Sequence, residues 1–209
     1  MDPPDRTRRR VLGALLALAS LPAWGASRGE EELSAAVRAS LQAAVADEGD
    51  RHTAFSDPLH AEAWLVAMAA RLSRYMPEES ARLRFLRTVS WESARAGLDP
   101  QLVLALIQVE SRFRKYAVSP VGAMGYMQVM PFWLKAIGER GQDLFQLRTN
   151  LRYGCTILRY YIDKERGNLY LALGRYNGSM GQPQYPVMVV NAWKRDWHYL
   201  PPTQEASLH

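Results

Sequence analysis

The chain has 209 residues, 48% of them hydrophobic and 22% charged, with a net charge of +5. That length and composition allow one domain with a proper core, or one domain plus a helical extension, and exclude a disordered chain. No stretch approaches the roughly 20 apolar residues of a mature bilayer-spanning anchor, and Cys155 is the single cysteine, so no internal disulfide can form.

The first element in chain order is a targeting segment. Arg6, Arg8, Arg9 and Arg10 form a positive n-region, Val11 to Leu21 a short apolar h-region, and Ala23 and Gly25 are small residues at the −3 and −1 positions of a cleavage after Gly25. Residues 1–25 therefore read as a signal peptide, and the protein as periplasmic or secreted. The alternative is an amphipathic or anchoring N-terminus. Thr7-Arg8-Arg9-Arg10-Val11-Leu12 has the form of a twin-arginine signal, although an ordinary secretory signal can carry the same arginines. Removing residues 1–25 takes away four Arg and two Asp and lowers the charge from +5 to +3. A mildly basic protein suits an anionic polymer. No Lys/Arg block follows the signal, which argues against nucleic acid as a partner.

Almost every later segment reads as helix. Glu30 to Glu48 is Ala-rich and of good helix propensity. Ser56-Asp57-Pro58 is a capped start with Pro in the first turn, opening a helix to about Arg74. A further helix runs from Glu78 to Ala96 and ends at Gly97. Asp99-Pro100 repeats the start signal, and Leu102, Val103, Leu106, Ile107 and Val109 make the helix 101–111 apolar on most sides, hence buried. Residues 113–130 read as a loop. Pro131 opens a helix to about Glu139, Asn150 is expected to cap one reaching Lys164, and Gly167-Asn168 precedes a short helix 169–175. Residues 183–198 are expected to form a last helix interrupted near Pro186. The predicted class is all-α, with a helical N-terminal extension over 26–89 and the main domain over 90–200.

One carboxyl stands out. Glu110 lies at the end of the apolar helix, where partial desolvation would disfavour its charged form and suit it to give a proton to a leaving oxygen. A Glu that merely pairs with Arg112 or Arg114 is the plainer reading. Gly122, Gly125 and Gln128 in the following loop offer close backbone approach and an amide suited to an N-acetyl sugar. Cys155 sits in an apolar run and reads as packing. Trp133 and Tyr185 read as core residues, with sugar stacking as the alternative. His52, His60, His198 and His209 have no metal-ligand spacing, so no metal is expected. Glu30-Glu31-Glu32 and Glu78-Glu79 read as solvated helix starts.

Taken together, Gly97-Leu98-Asp99-Pro100, Glu110-Ser111-Arg112-Phe113, Ser119, Gly122-Ala123-Met124-Gly125-Tyr126-Met127-Gln128-Val129-Met130-Pro131, Asn150-Leu151-Arg152-Tyr153-Gly154 and Tyr176-Asn177-Gly178 resemble the lytic transglycosylases of the soluble-lytic-transglycosylase (SLT domain) family. The resemblance covers about residues 90–190. It implies a lysozyme-like α fold and cleavage of peptidoglycan glycan strands without a cofactor. Glu110 would be the acid/base and Ser119 would orient it. Gln128 and Met130 would line the sugar cleft, and Tyr176 would hydrogen-bond near the acid. Ser111 and Asn177, beside two of these residues in their motifs, complete the substrate-binding set. Two positions depart from the family pattern, Tyr126 for Leu and Arg175 for Ala, and both are expected to alter cleft shape and charge.

Most glycosidases use two carboxylates, yet Glu110 is the only acidic residue between positions 100 and 138. Asp99 lies at the far end of the same helix, about 16 Å away. A single carboxyl fits the transglycosylase reaction, in which the muramoyl C6 hydroxyl replaces water. A goose-type-lysozyme-like hydrolase is the nearest rival. A non-catalytic wall-binding module, or a part of an envelope-spanning secretion machine, is a rival from another class. The resemblance also admits an enzyme that serves a secretion or other envelope machine.

Overall fold

Side chains cap the starts of five helices, most of them where the sequence places them. The computed structural model describes residues 33–47, 54–55 and 57–200. The signal segment 1–25, Glu30-Glu31-Glu32, His52, Ser56 and His209 lie outside the described residues. Ser34 caps α1 (Ala35–Ala46), and Asp57 caps α2 (Pro58–Leu72) by accepting the Leu59 N–H at 2.8 Å. Glu78 opens α3 (Glu79–Arg95) by accepting two backbone N–H groups. Asp99 opens α4 (Pro100–Ser111), its carboxylate 2.7 Å from the Gln101 nitrogen. In each case a side-chain oxygen satisfies backbone donors that the first helical turn leaves unpaired. Burial raises the Asp99 pKa against the opposing pull of these hydrogen bonds.

After the loop 112–130 come α5 (Phe132–Ile137), α6 (Leu147–Lys164), α7 (Leu169–Asn177, capped by Asn168) and α8 (Gln184–Ala192). A π-helical turn, Trp193–Trp197, continues α8. The all-α class expected from the sequence is the one observed: among the described residues the only extended pairing is two isolated bridges, Val118 with Met124 and Met124 with Val129. No helix among the described residues is long and apolar enough to cross a membrane.

Two local expectations are corrected. Asn150 does not cap α6. Gln146 holds the N-cap position without a side-chain capping bond, and Asn150 lies inside the helix, fully buried. Pro186 does not interrupt the last helix. It is the third residue of α8, where its missing N–H costs no intrahelical bond.

The helix expected to be buried is buried: every residue of α4 from Leu102 to Ile107 is in the core. It packs against α3, α8 and the π-helical turn, while α6 packs against α3, α7 and α1. The stretch ahead of residue 90 shares this core. Leu41 and Val45 of α1, and Trp64, Met68 and Leu72 of α2, join one cluster with Leu104, Leu158 and Trp197. An ion-pair cluster adds to that seam. Glu92, 2% exposed, meets Arg95 at 2.9 Å, Arg148 at 3.3 Å and Arg152 at 3.4 Å. Arg95 donates to the Ala44 carbonyl and Arg152 to the Val45 carbonyl, so the cluster joins α3 and α6 to the end of α1.

Candidate active site

Helix α4 ends on two successive left-handed residues, Arg112 at φ 52° and Phe113 at φ 61°. Neither is glycine, so this turn is strained. Phe113 explains how it is held. Its ring is buried, with centroids 4.8 Å from Tyr75, 5.3 Å from Trp197 and 5.9 Å from Phe85. The apolar anchor fixes the helix end, and Glu110, half-buried, sits in that last turn.

The Tyr185 hydroxyl donates to the Glu110 carboxylate at 2.7 Å. Tyr185 belongs to the first turn of α8, which packs along α4, and is 2% exposed. The sequence reading of Tyr185 as core is right for its ring and misses its hydroxyl. Only the packing of α8 on α4 brings positions 75 residues apart into contact.

The loop after Glu110 folds back and is bolted in place. Met124 and Val129 exchange backbone hydrogen bonds at 2.9 and 3.0 Å, and the Gly125 N–H donates to the Ala117 carbonyl at 2.8 Å. Gly125 has φ 75°, and a Cβ there would run into the Asn150 amide and the Leu144 carbonyl, so only glycine fits. Asn150 accepts from the Met127 N–H at 2.8 Å and donates to the Met124 and Leu144 carbonyls, both at 2.9 Å. Tyr176 donates to the Met127 carbonyl at 2.8 Å. One residue of the loop is thus held by its N–H from α6 and by its C=O from α7.

The other expected site residues make the following bonds, and the one from the Ser119 hydroxyl goes to Ala123 and not to Glu110. Ser119 accepts the Ala123 N–H at 3.0 Å, a bond inside its own loop. Gln128, buried and at φ 50°, donates from its amide to the Ala117 and Gly125 carbonyls at 3.1 and 3.0 Å. Met130 is half-buried against the core, and its carbonyl accepts the Trp133 N–H. Asn177 is buried at the end of α7.

Two expectations need correction. Ser111 is 0% exposed and donates back to the Ile107 carbonyl at 3.2 Å, so its hydroxyl serves the helix and does not face a cleft. Tyr126 points into the core, 4.9 Å from Phe85, instead of shaping a cleft. Arg175 pairs with Glu165. Cys155 is buried, as expected, and burial pushes its thiol pKa up.

Sequence reasoning also missed Gln108. Its carbonyl accepts the Trp197 indole N–H at 2.6 Å, and its amide donates to Asp196 at 2.7 Å. The Arg195 hydrogen bond holds the Asp196 carboxyl below its usual range. This network fastens the π-helical turn to α4 one half-turn before Glu110.

Residues 88–187 match the family model described as the transglycosylase SLT domain. A transglycosylase of Enterobacteria phage PRD1 is 34% identical over 106 residues, covering 51% of this chain and 39% of the relative. A membrane-bound lytic murein transglycosylase C of Mannheimia succiniciproducens is 40% identical over 65 residues, covering 31% of this chain and 16% of that protein. A protein of the same name from Serratia proteamaculans is 34% identical over 106 residues, covering 48% and 27%. The chain therefore spans well under half the length of these relatives. Among solved structures, an inactive mutant of the lytic transglycosylase Slt of Pseudomonas aeruginosa aligns at 26% identity with a TM-score of 0.42, covering 62% of this chain and 22% of that one. The 70 kDa soluble lytic transglycosylase of Escherichia coli aligns at 17% identity and a TM-score of 0.36, covering 76% and 38%.

Proposed function

We propose that this chain is a peptidoglycan lytic transglycosylase. It cleaves the β-1,4 bond between N-acetylmuramic acid and N-acetylglucosamine, with Glu110 as its single general acid/base. The observation that carries the reading is Glu110 itself. It stands on a strained, packed helix end inside the matched segment, with a neutral phenol donating to its carboxylate.

In the first half of the reaction the protonated Glu110 gives its proton to the glycosidic oxygen as the bond to the muramoyl C1 breaks. The substrate's acetamido group stabilises the cation. In the second half the Glu110 carboxylate takes the proton of the muramoyl C6 hydroxyl, whose oxygen bonds to C1 and closes a 1,6-anhydro ring. The carboxyl is regenerated, no water is consumed and no cofactor is required. Tyr185 stabilises and orients the carboxylate form through its hydrogen bond. Ser119, Gln128, Met130, Tyr176 and Asn177 act mainly by fixing the loop and helix ends that line the glycan path. Ser111 is left out of that set. Export by residues 1–25 places the enzyme at the wall, and N-terminal sequencing of periplasmic protein, expected to lack them, checks this. Service to a secretion or other envelope machine is part of the same proposal.

The test is the product. Mass spectrometry of purified wall digested with the full chain is expected to show 1,6-anhydro-muramoyl ends. Reducing muramoyl ends in their place would make it a hydrolase, and no soluble product would make it a binding protein.

A further inference from the structure

A cavity of about 340 Å³ opens between α2 and α3, lined by Phe55, Glu62, Trp64, Arg87, Ser90 and Trp91 among others. None of these belongs to the Glu110 site, and all but Ser90 and Trp91 precede or lie just outside the segment matched to the SLT family. Three rings form its apolar part. Trp64 is 1% exposed and packs with its ring centroid 5.3 Å from Phe55, while Phe55 and Trp91 are half-buried. The Trp64 indole nitrogen is buried with no hydrogen-bond partner. At the rim, Glu62 and Arg87 are exposed, and neither is in an ion pair among the described residues. Ser90 already accepts the Ala54 N–H at 3.3 Å and keeps its hydroxyl proton to donate.

We propose that this cavity is a second saccharide site, which takes an N-acetylated amino sugar of a glycan strand away from the cleavage cleft. A sugar ring has an apolar C–H face, which suits aromatic walls, and a rim of groups that both donate and accept, which suits a carboxylate, a guanidinium and a hydroxyl together. The opposite charges of Glu62 and Arg87 cancel, so the site favours a neutral polar ligand over an anion or a cation. Its volume lies at the small end of ligand pockets, roughly 300–1,000 Å³, matching one or two sugar rings and not a folded partner. The choice of an N-acetylated sugar rests on the cleavage reading above. The functional consequence is retention: a strand held at a second point re-enters the cleft without being released.

The experiment titrates the full chain carrying Glu110→Gln, which prevents turnover, with tetra-N-acetylchitotetraose by calorimetry. Two classes of site are expected. Adding Glu62→Ala with Arg87→Ala, both at exposed positions, is expected to weaken one class at least 10-fold and leave the other unchanged, with the melting curve as a folding control. In chain that retains Glu110, the same pair should slow digestion of insoluble wall several-fold while cleavage of short soluble glycan is kept. An unchanged titration in the double variant overturns the proposal. So does saturable binding of a wall stem peptide, instead of the sugar, that the double variant loses. Wild-type chain that binds as expected but cleaves nothing would sink the cleavage reading and leave this site standing. Normal cleavage with an unaltered titration would do the reverse.

Discussion

Glu92 on α3 and Glu110 on α4 stand on helices packed against each other, and they differ in burial and in the side chains that bond them. Glu92 is enclosed and meets three guanidinium groups, two of which, Arg95 and Arg152, donate to the backbone of α1 and α6. Glu110 is half-buried at a helix end and takes a hydrogen bond from a phenol. A carboxylate locked among cations is a structural tie, because protonating it would strand the cations. Acid/base work is assigned to the carboxyl that a phenol holds at the helix end. Burial alone does not identify a catalytic carboxyl, since the more deeply buried of the two is the one assigned to structure.

The sharpest way to break this comparison is Glu110→Gln against Glu92→Gln. The first is expected to abolish release of soluble wall fragments while the melting curve stays within a degree or two of wild type. The second is expected to cost about 3–5 kcal/mol, because it leaves buried guanidinium groups uncompensated. Urea unfolding measures it, and activity should fall only as folded protein is lost. If Glu92→Gln removed activity from fully folded protein, the division of labour would be wrong.

Two tyrosines sharpen the same contrast. Tyr185→Phe removes the donor to Glu110 and is expected to lower the cleavage rate about 10²-fold with little change in stability. Tyr176→Phe removes the donor to the Met127 carbonyl, so about 1–3 kcal/mol of stability is expected to go, with a smaller loss of rate than for Tyr185→Phe. The reverse order of rates would return Tyr176 to the acid. Smallest of all, Ser111→Ala is expected to keep the rate within about two-fold, since its hydroxyl bonds only its own helix. Cys155 is expected to resist a thiol reagent until the protein unfolds, because its thiol is buried with a raised pKa.

The sequence alone determined the helices, the caps at Asp57 and Asp99, the burial of α4 and the singling out of Glu110. These rest on neighbours within a turn or two: the apolar period, a capping oxygen beside Pro, and an acidic residue isolated in its segment. The SLT motif order was legible for the same reason. Tertiary structure alone decided which phenol reaches Glu110. Tyr185 is remote in sequence, and no local pattern records how α8 lies on α4. Packing likewise turned Asn150 from a cap into the clamp on Met127, sent Tyr126 inward and gave Glu92 its three arginines, which come from two helices. Hydrogen bonds between distant side chains depend on which faces meet, and that is fixed only when the helices pack into one core.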